Sequence, residues 1–291
     1  MFAEAPVFRT LPGERLHLSH GPIDVVLRAW GRPEAVGLAY RGVAARFADI
    51  LPELCAELPV LRSAIGNGAT PESPVGGRMA AACAPFAKIF VTPMAAVAGS
   101  VADELLAVMR EAAPLERAFV NNGGDIAVHC AAGEALDIGV AGDFGHGLLP
   151  GLNGGIRIGS GDGIGGIATS GARGRSHSLG IADSVTVLAK DAATADVAAT
   201  LIANAVTADH PAIRRLPASE LAPDSDLGDR LVTVEVGELP RTVVLAALEG
   251  GRACASGYLA RGLIVDAALM LQCESMTLKE TNTNMIQGRA A

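Results

Sequence analysis

Aromatic side chains make up only 3% of this 291-residue chain, with one tryptophan and two tyrosines. A ligand must therefore be held by backbone groups, small side chains and aliphatics, not by an aromatic cage. Lysine is scarcer still, with three residues (Lys88, Lys190 and Lys279). The net charge is −8, and the arginines are scattered. No basic patch exists to meet a phosphate backbone or an anionic bilayer, so neither nucleic acid nor membrane is an expected partner. No run approaches the roughly 20 apolar residues of a membrane helix, although half the residues are hydrophobic. The opening MFAEAPVFR lacks the basic and apolar regions of a signal peptide, so a cytoplasmic protein is expected. Cys55, Cys83, Cys130, Cys254 and Cys273 include no CxxC pair. Neither zinc nor a disulfide framework is expected, and reduced, mostly buried thiols are.

What is present is a mixture of helical and strand periodicities. Residues 14–30 read as two strands around a His-Gly-Pro turn, and residues 41–64 as a helix interrupted at Pro52. A short helix fits residues 78–90, and a clear one fits residues 95–110, striped by Val97, Val101, Leu105 and Val108. Residues 119–128 predict a strand with a Gly-Gly bend or bulge. Strands follow at 136–140, 154–158 and 184–189, with a helix at 193–206. Residues 210–229 read as loop, and 231–236, 241–248 and 263–271 as strands. Residues 275–291 are polar and are expected to be partly disordered. Without regular strand–helix alternation, the fold class is α+β: a two-layer sandwich of mostly antiparallel sheet and helices. One domain covers the chain.

The densest chemistry lies in residues 165–206. Asp196 and Thr200 stand four residues apart on a helix whose neighbours are Ala, Val, Leu and Ile, so both oxygens share one face. Hard oxygens in that arrangement suit Mg²⁺ or Ca²⁺. Helix capping by Asp196 is the local alternative. Thr169-Ser170-Gly171 can form an anion-binding nest or a tight capped turn. His177, between polar residues that include Arg173 and Arg175, is a candidate general base or a solvated surface histidine. Asn121-Asn122-Gly123-Gly124-Asp125 lets backbone approach a ligand closely, or serves only as a glycine turn. The GxGxxG string at residues 161–166 is followed by a strand-like segment where a dinucleotide fold needs a helix, so a Rossmann reading fails.

Taken in order, Gly99 with Asp103, Asn122-Gly123-Gly124-Asp125, Thr169-Ser170-Gly171, His177, Ser184-Val185-Thr186-Val187 and Asp196 with Thr200 resemble the ApbE superfamily. The similarity is closest to a cytoplasmic branch without assigned activity, and residues 14–206 carry it best. Characterised members of the superfamily are FAD-dependent FMN transferases. The resemblance implies a flavin site lined by Gly99, Asp103, Asn122, Gly123, Gly124, Asp125, Thr169, Ser170 and Gly171. It also implies Mg²⁺ at Asp196 and Thr200, and His177 as catalytic base. One departure is plain: residue 98 is alanine where the transferases carry a lysine before the helix glycine.

The expectation is an ApbE-like protein that binds a flavin or nucleotide. As an enzyme it would be a Mg²⁺-dependent FMN transferase, or would cleave the FAD pyrophosphate. The alternatives are a non-catalytic flavin or nucleotide module, and an enzyme acting on another small cofactor precursor. The sequence leaves a homodimer open.

Overall fold

Alternating burial builds the first strands. Leu18 and His20 on one strand, and Ile23, Val25, Leu27 and Ala29 on the next, turn the same way into the interior. The computed structural model describes residues 5–143, 151–172, 174, 176–278 and 285–286. In chain order the elements are β1 (Val7–Leu11), β2 (Arg15–His20), β3 (Ile23–Trp30), α1 (Pro33–Ala56), α2 (Leu58–Leu61), α3 (Pro74–Cys83), α4 (Val97–Ala112), β4 (Arg117–Asn122) and β5 (Asp125–Cys130). They continue with β6 (Ala135–Asp143), β7 (Gly151–Gly159), β8 (Gly166–Ser170), β9 (Ser184–Ala189), α5 (Ala192–Ala205), β10 (Ile213–Pro217) and α6 (Ala218–Leu221). The last are β11 (Leu231–Val236), α7 (Arg241–Ala260), β12 (Asp266–Leu271), β13 (Glu274–Thr277) and β14 (Met285–Ile286).

Every strand pairing reported among the described residues is antiparallel. The α+β class read from the sequence therefore holds. No helix among the described residues is long and apolar enough to cross a membrane.

The chain divides into two compact units. The first takes the residues up to Glu134 together with Gly163–Ala168 and Ala189–Val197. The second takes Ala135–Asp162, Thr169–Leu188 and the residues from Ala198 onward. In the first unit β1 to β5 form a meander, and β5 pairs through Ile126 and Ala127 with Ile167 and Gly166. Helices α1 and α4 pack on each other, and α4 also packs on β4 and β5. The buried Glu104 of α4 accepts from Arg46 Nε of α1 at 2.8 Å and from the exposed Arg78 Nε of α3 at 3.0 Å. In the second unit β9, β12 and β13 pair in that order, with α7 on β12 and β13. There β6 and β7 form a hairpin joined by β14, and β10 pairs with β11.

Several expectations are corrected. β1 was not anticipated, and α1 begins at Pro33, whose fixed φ suits the first helical position. Pro52 stands inside α1 and does not end it. Residues 123–124 are not a bulge. They are a two-residue hairpin turn between β4 and β5, with Gly123 at φ +67° and Gly124 at +119°. Residues 210–229 contain β10 and α6. The largest error is residues 241–248, expected as a strand and found as the start of α7. Its buried residues Val244, Ala247, Leu248, Gly251, Ala255 and Tyr258 repeat with helical spacing, through a Gly-Gly pair that looked like a turn. Gly251 admits that packing, because a Cβ there would lie 2.4 Å from Val206 Cγ2 and 2.6 Å from Leu269 Cδ2. Most of the polar tail expected after residue 275, including Lys279, lies outside the described residues.

Candidate functional site

The first unit holds seven of the residues singled out from the sequence: Gly99, Asp103, Asn122, Gly123, Gly124, Asp125 and Asp196. Helix α4 begins just after a 3₁₀ turn at Pro93–Ala96, which places Gly99 in its first turn. The Gly99 N–H donates to Asp196 Oδ2 at 3.0 Å. A Cβ on Gly99 would lie 2.3 Å from the Ala192 carbonyl oxygen, so the start of α5 runs directly against α4 backbone. Asn122, buried at the end of β4, donates from Nδ2 to the Ala98 carbonyl at 3.1 Å. Asp125 opens β5 close enough for its charge to act on Asp196.

Asp103 does something the sequence did not disclose. Its Oδ1 accepts from Ala192 N at 3.1 Å and its Oδ2 from Ala193 N at 2.8 Å. These are among the amides a helix start leaves without internal partners. Asp191 satisfies another, accepting from Thr194 N at 2.7 Å. Capping of α5 is therefore the work of Asp191 and Asp103. Asp196 lies one turn in and faces Gly99, which removes the capping alternative. Asp191, an aspartate directly before an Ala-rich apolar run, is an ordinary N-cap signal in the sequence.

The electrostatics of this cluster are unusual. Burial, and then the Asp125 charge, hold the Asp196 carboxyl well above the ordinary carboxylate value, against the pull of the Gly99 and Ala98 amides. Burial also pushes the Asp103 carboxyl up to about 6, despite its two amide donors. The Cys83 thiol is raised by burial and by Asp196, which leaves it a poor nucleophile.

The second unit holds the hydroxyl groups. Thr169 and Ser170 are the last residues of β8 and extended, not a capped turn. Thr169 Oγ1 lies 2.9 Å from Thr186 Oγ1 on β9, and Ser170 Oγ lies 3.5 Å from Thr200 Oγ1 on α5. Thr186 belongs to the Ser184–Val187 motif, but the sequence alone gives it no site role; its place beside Thr169 comes from the pairing of strands in space. Gly171 is required by close approach: a Cβ would sit 2.5 Å from the Asp183 carbonyl oxygen. His177 is exposed on irregular chain and makes no hydrogen bond or ion pair with a described residue. Arg173 and Arg175 lie outside the described residues. Gly123 and Gly124 are exposed at their turn. Among the described residues no group of three His, Cys, Asp or Glu side chains could hold a metal ion. Any cation at Asp196 would thus depend on hydroxyl, carbonyl, water or ligand oxygens as well.

The antiparallel α+β fold sets the class, and comparison with known proteins gives the family. A family model described as "AbpE bacteria" matches residues 8–283, and the chain belongs to that family. The match extends well beyond residues 14–206, where the motif resemblance was strongest. The chain is 37% identical over 180 residues to the UPF0280 protein of Methanopyrus kandleri, covering 60% of this chain and 68% of that protein. It is 42% identical over 120 residues to a UPF0280 protein of Methanothrix thermoacetophila, covering 41% of this chain and 48% of that one. For that second relative the chain thus spans about half the length. Among solved structures, it is similar to the ApbE protein of Thermotoga maritima (TM-score 0.48, 13% identity, covering 90% and 94% of the two chains). It is also similar to the apo form of the flavinyl transferase ApbE of Pseudomonas stutzeri (TM-score 0.46, 12% identity, 95% of each chain).

Proposed function

We propose that this protein binds a flavin nucleotide with Mg²⁺ and acts on its pyrophosphate, as an FMN transferase or an FAD-cleaving enzyme. The observation that carries the reading is Asp196. A half-buried carboxylate on which the Asp125 charge acts is an anionic site that a cation would relieve. Magnesium is commonly held by one or two carboxylates, with phosphate and water oxygens completing its shell. A site with too few side-chain ligands for a closed cage fits that habit. On α5, Thr200 follows Asp196 by four residues and adds a hydroxyl on the same helical face. When bound, the ion would offset the charge of a diphosphate.

The protein's own residues have separable tasks in this reading. Gly99 N–H fixes one oxygen of Asp196, and Asn122 fixes the backbone at Ala98. Gly124 leaves open space next to Asp125, with no atom within 4 Å of where a Cβ would stand. Thr169, Ser170 and Thr200 offer hydroxyls for hydrogen bonds to phosphate oxygens. His177, exposed and without a hydrogen bond to a described residue, would take the proton of an attacking hydroxyl.

A second reading, a non-catalytic flavin module, rests on that same lack of engagement, because nothing among the described residues orients the imidazole. One experiment separates them. Purified protein is incubated with FAD, with and without Mg²⁺, and the mixture is resolved by chromatography. Appearance of AMP with free or protein-linked FMN, dependent on Mg²⁺ and lost in Asp196→Asn, supports the enzyme. Intact FAD that nonetheless raises the melting temperature supports the binding module. Neither turnover nor a thermal shift rejects both.

A further inference from the structure

Helix α5 carries polar side chains at a spacing of four: Asp196, Thr200 and Asn204. Positions i, i+4 and i+8 follow one face of a helix. Apart from Thr194, every other residue of α5 is Ala, Val, Leu or Ile. The flavin reading uses Asp196 and Thr200 and leaves Asn204 without a task. Helix formation does not explain it, because asparagine is among the poorer residues inside a helix and alanine is the best.

Asn204 holds another segment of the second unit. Its Oδ1 accepts from the Leu179 N–H at 3.0 Å and from the Ser178 hydroxyl at 3.4 Å, which its two lone pairs allow. The Ser178 Oγ in turn accepts from the Gly180 N–H at 3.2 Å. Backbone bonds fix the same run from either side. The Ser178 carbonyl accepts from Thr233 N at 2.8 Å, and Ile181 N donates to the Val206 carbonyl at 2.8 Å. Gly180 permits the close approach, since a Cβ there would collide with the Ala203 carbonyl oxygen. Ser178, Gly180 and Ile181 are accordingly buried.

His177 stands directly before this pinned run and is exposed. Ala172 N donates to the Ala182 carbonyl at 2.8 Å, closing a loop in which the histidine lies midway. No hydrogen bond with a described residue orients the imidazole. Its reach is therefore set by the backbone that carries it, and Asn204 grips that backbone one and two residues further on.

We propose that Asn204 is a positioning residue: its carboxamide oxygen fixes Ser178 and Leu179 on α5 and thereby limits where the His177 imidazole can stand. The proton-transfer task of that imidazole rests on the flavin reading; the anchoring does not.

The test uses the full chain labelled with ¹⁵N. Asn204→Ala removes the acceptor and suits a helix, whereas Asn204→Asp keeps an oxygen in the same place. Without any ligand, exchange of the Leu179 amide should accelerate by roughly tenfold in Asn204→Ala, and the order parameter of the His177 amide should fall. Asn204→Asp should recover both. Unchanged exchange and order in Asn204→Ala, or a loss in Asn204→Asp as large as in Asn204→Ala, would overturn the proposal. Incubation with FAD and Mg²⁺ reads the consequence for turnover. Asn204→Ala should lower kcat by about tenfold or more with KM for FAD nearly unchanged, and should add nothing in a His177→Ala background. An equal further fall in that background also overturns the proposal, because Asn204 would then act other than through His177. If the parent protein leaves FAD intact, it is the flavin reading that has failed, and the exchange and order measurements decide the role of Asn204 alone.

Discussion

The Asp103 carboxylate on α4 closes the first turn of α5, with its Oδ2 2.8 Å from the Ala193 amide. A side chain that motif order placed in a cofactor pocket is thus engaged with backbone, ninety residues further along the chain. The carboxylate favours the positive end of the α5 dipole and anchors the helix that carries Asp196.

That contact has a pH signature. The Asp103 carboxyl is pushed up to about 6 from an ordinary 3.8. Between those values the folded chain holds a proton that the unfolded chain has released. Its contribution to stability is complete below pH 4 and is lost as the pH rises through 6. The free-energy difference between the parent and Asp103→Asn should therefore fall by roughly 2 kcal/mol from pH 4 to pH 7 and then level off. Denaturant titrations at four pH values would measure it; a difference independent of pH would contradict the raised carboxyl.

Gly99→Ala should be disproportionately costly for an added methyl. Its Cβ would meet the Ala192 carbonyl oxygen at 2.3 Å, and backbone cannot rotate away as a flexible side chain can. A loss of roughly 1–3 kcal/mol is expected, seen as a lower melting temperature. It should also disturb the Gly99–Asp196 hydrogen bond. Neutral stability would show that the helices separate freely.

Glu104 is buried, which opposes its ionisation, yet hydrogen bonds from Arg46 and Arg78 hold its carboxyl below the ordinary value. Glu104→Ala leaves Arg46 with only Glu53, and should cost on the order of 3 kcal/mol at pH 7. The double variant Arg46→Met with Glu104→Ala should recover part of that loss, because the largely buried Arg46 cation, left short of one of its two carboxylates, is then replaced by an apolar side chain. Strict additivity in the double-variant cycle would argue against coupling.

Asp196→Asn should separate stability from ligand response. The parent carboxyl is held well above its ordinary value by burial and by Asp125, so its charged form opposes folding at neutral pH. The amide variant is expected to melt at the same temperature as the parent or higher. In the same samples, any stabilisation produced by FAD with Mg²⁺ should disappear. A variant that melts lower and still responds to FAD with Mg²⁺ would reverse the assignment.

Strand identities were legible wherever one face alternates. Ser184–Ala189 and Leu231–Val236 are found with the expected limits, and the pair around His20-Gly21-Pro22 within a residue. The α4 stripe was less well read: Val97 and Val108 are only partly buried, whereas Glu104 and Met109 lie inside. A charged residue is buried there because Arg46 and Arg78, from other helices, both donate to Glu104. Helix α7 was misread because its first turn is rich in β-branched residues and its centre holds Gly250-Gly251. Both are locally unfavourable for a helix. Tertiary packing against Val206 and Leu269 favours the glycine at 251 over a larger side chain.

By itself, the sequence determined the α+β class, the ordered motifs that place the chain in its family, and the helix that puts Asp196 and Thr200 four residues apart. These depend on spacing and periodicity, which are properties of neighbours along a chain. Only the tertiary structure decided what each polar group does. It assigned Asp103 to the α5 amides, set Asp196 against Gly99 and Asp125, and tied the segment after His177 to Asn204. The physical reason is that a carboxylate's role is fixed by which donors and charges reach it in space, and those come from segments about 70 to 100 residues away.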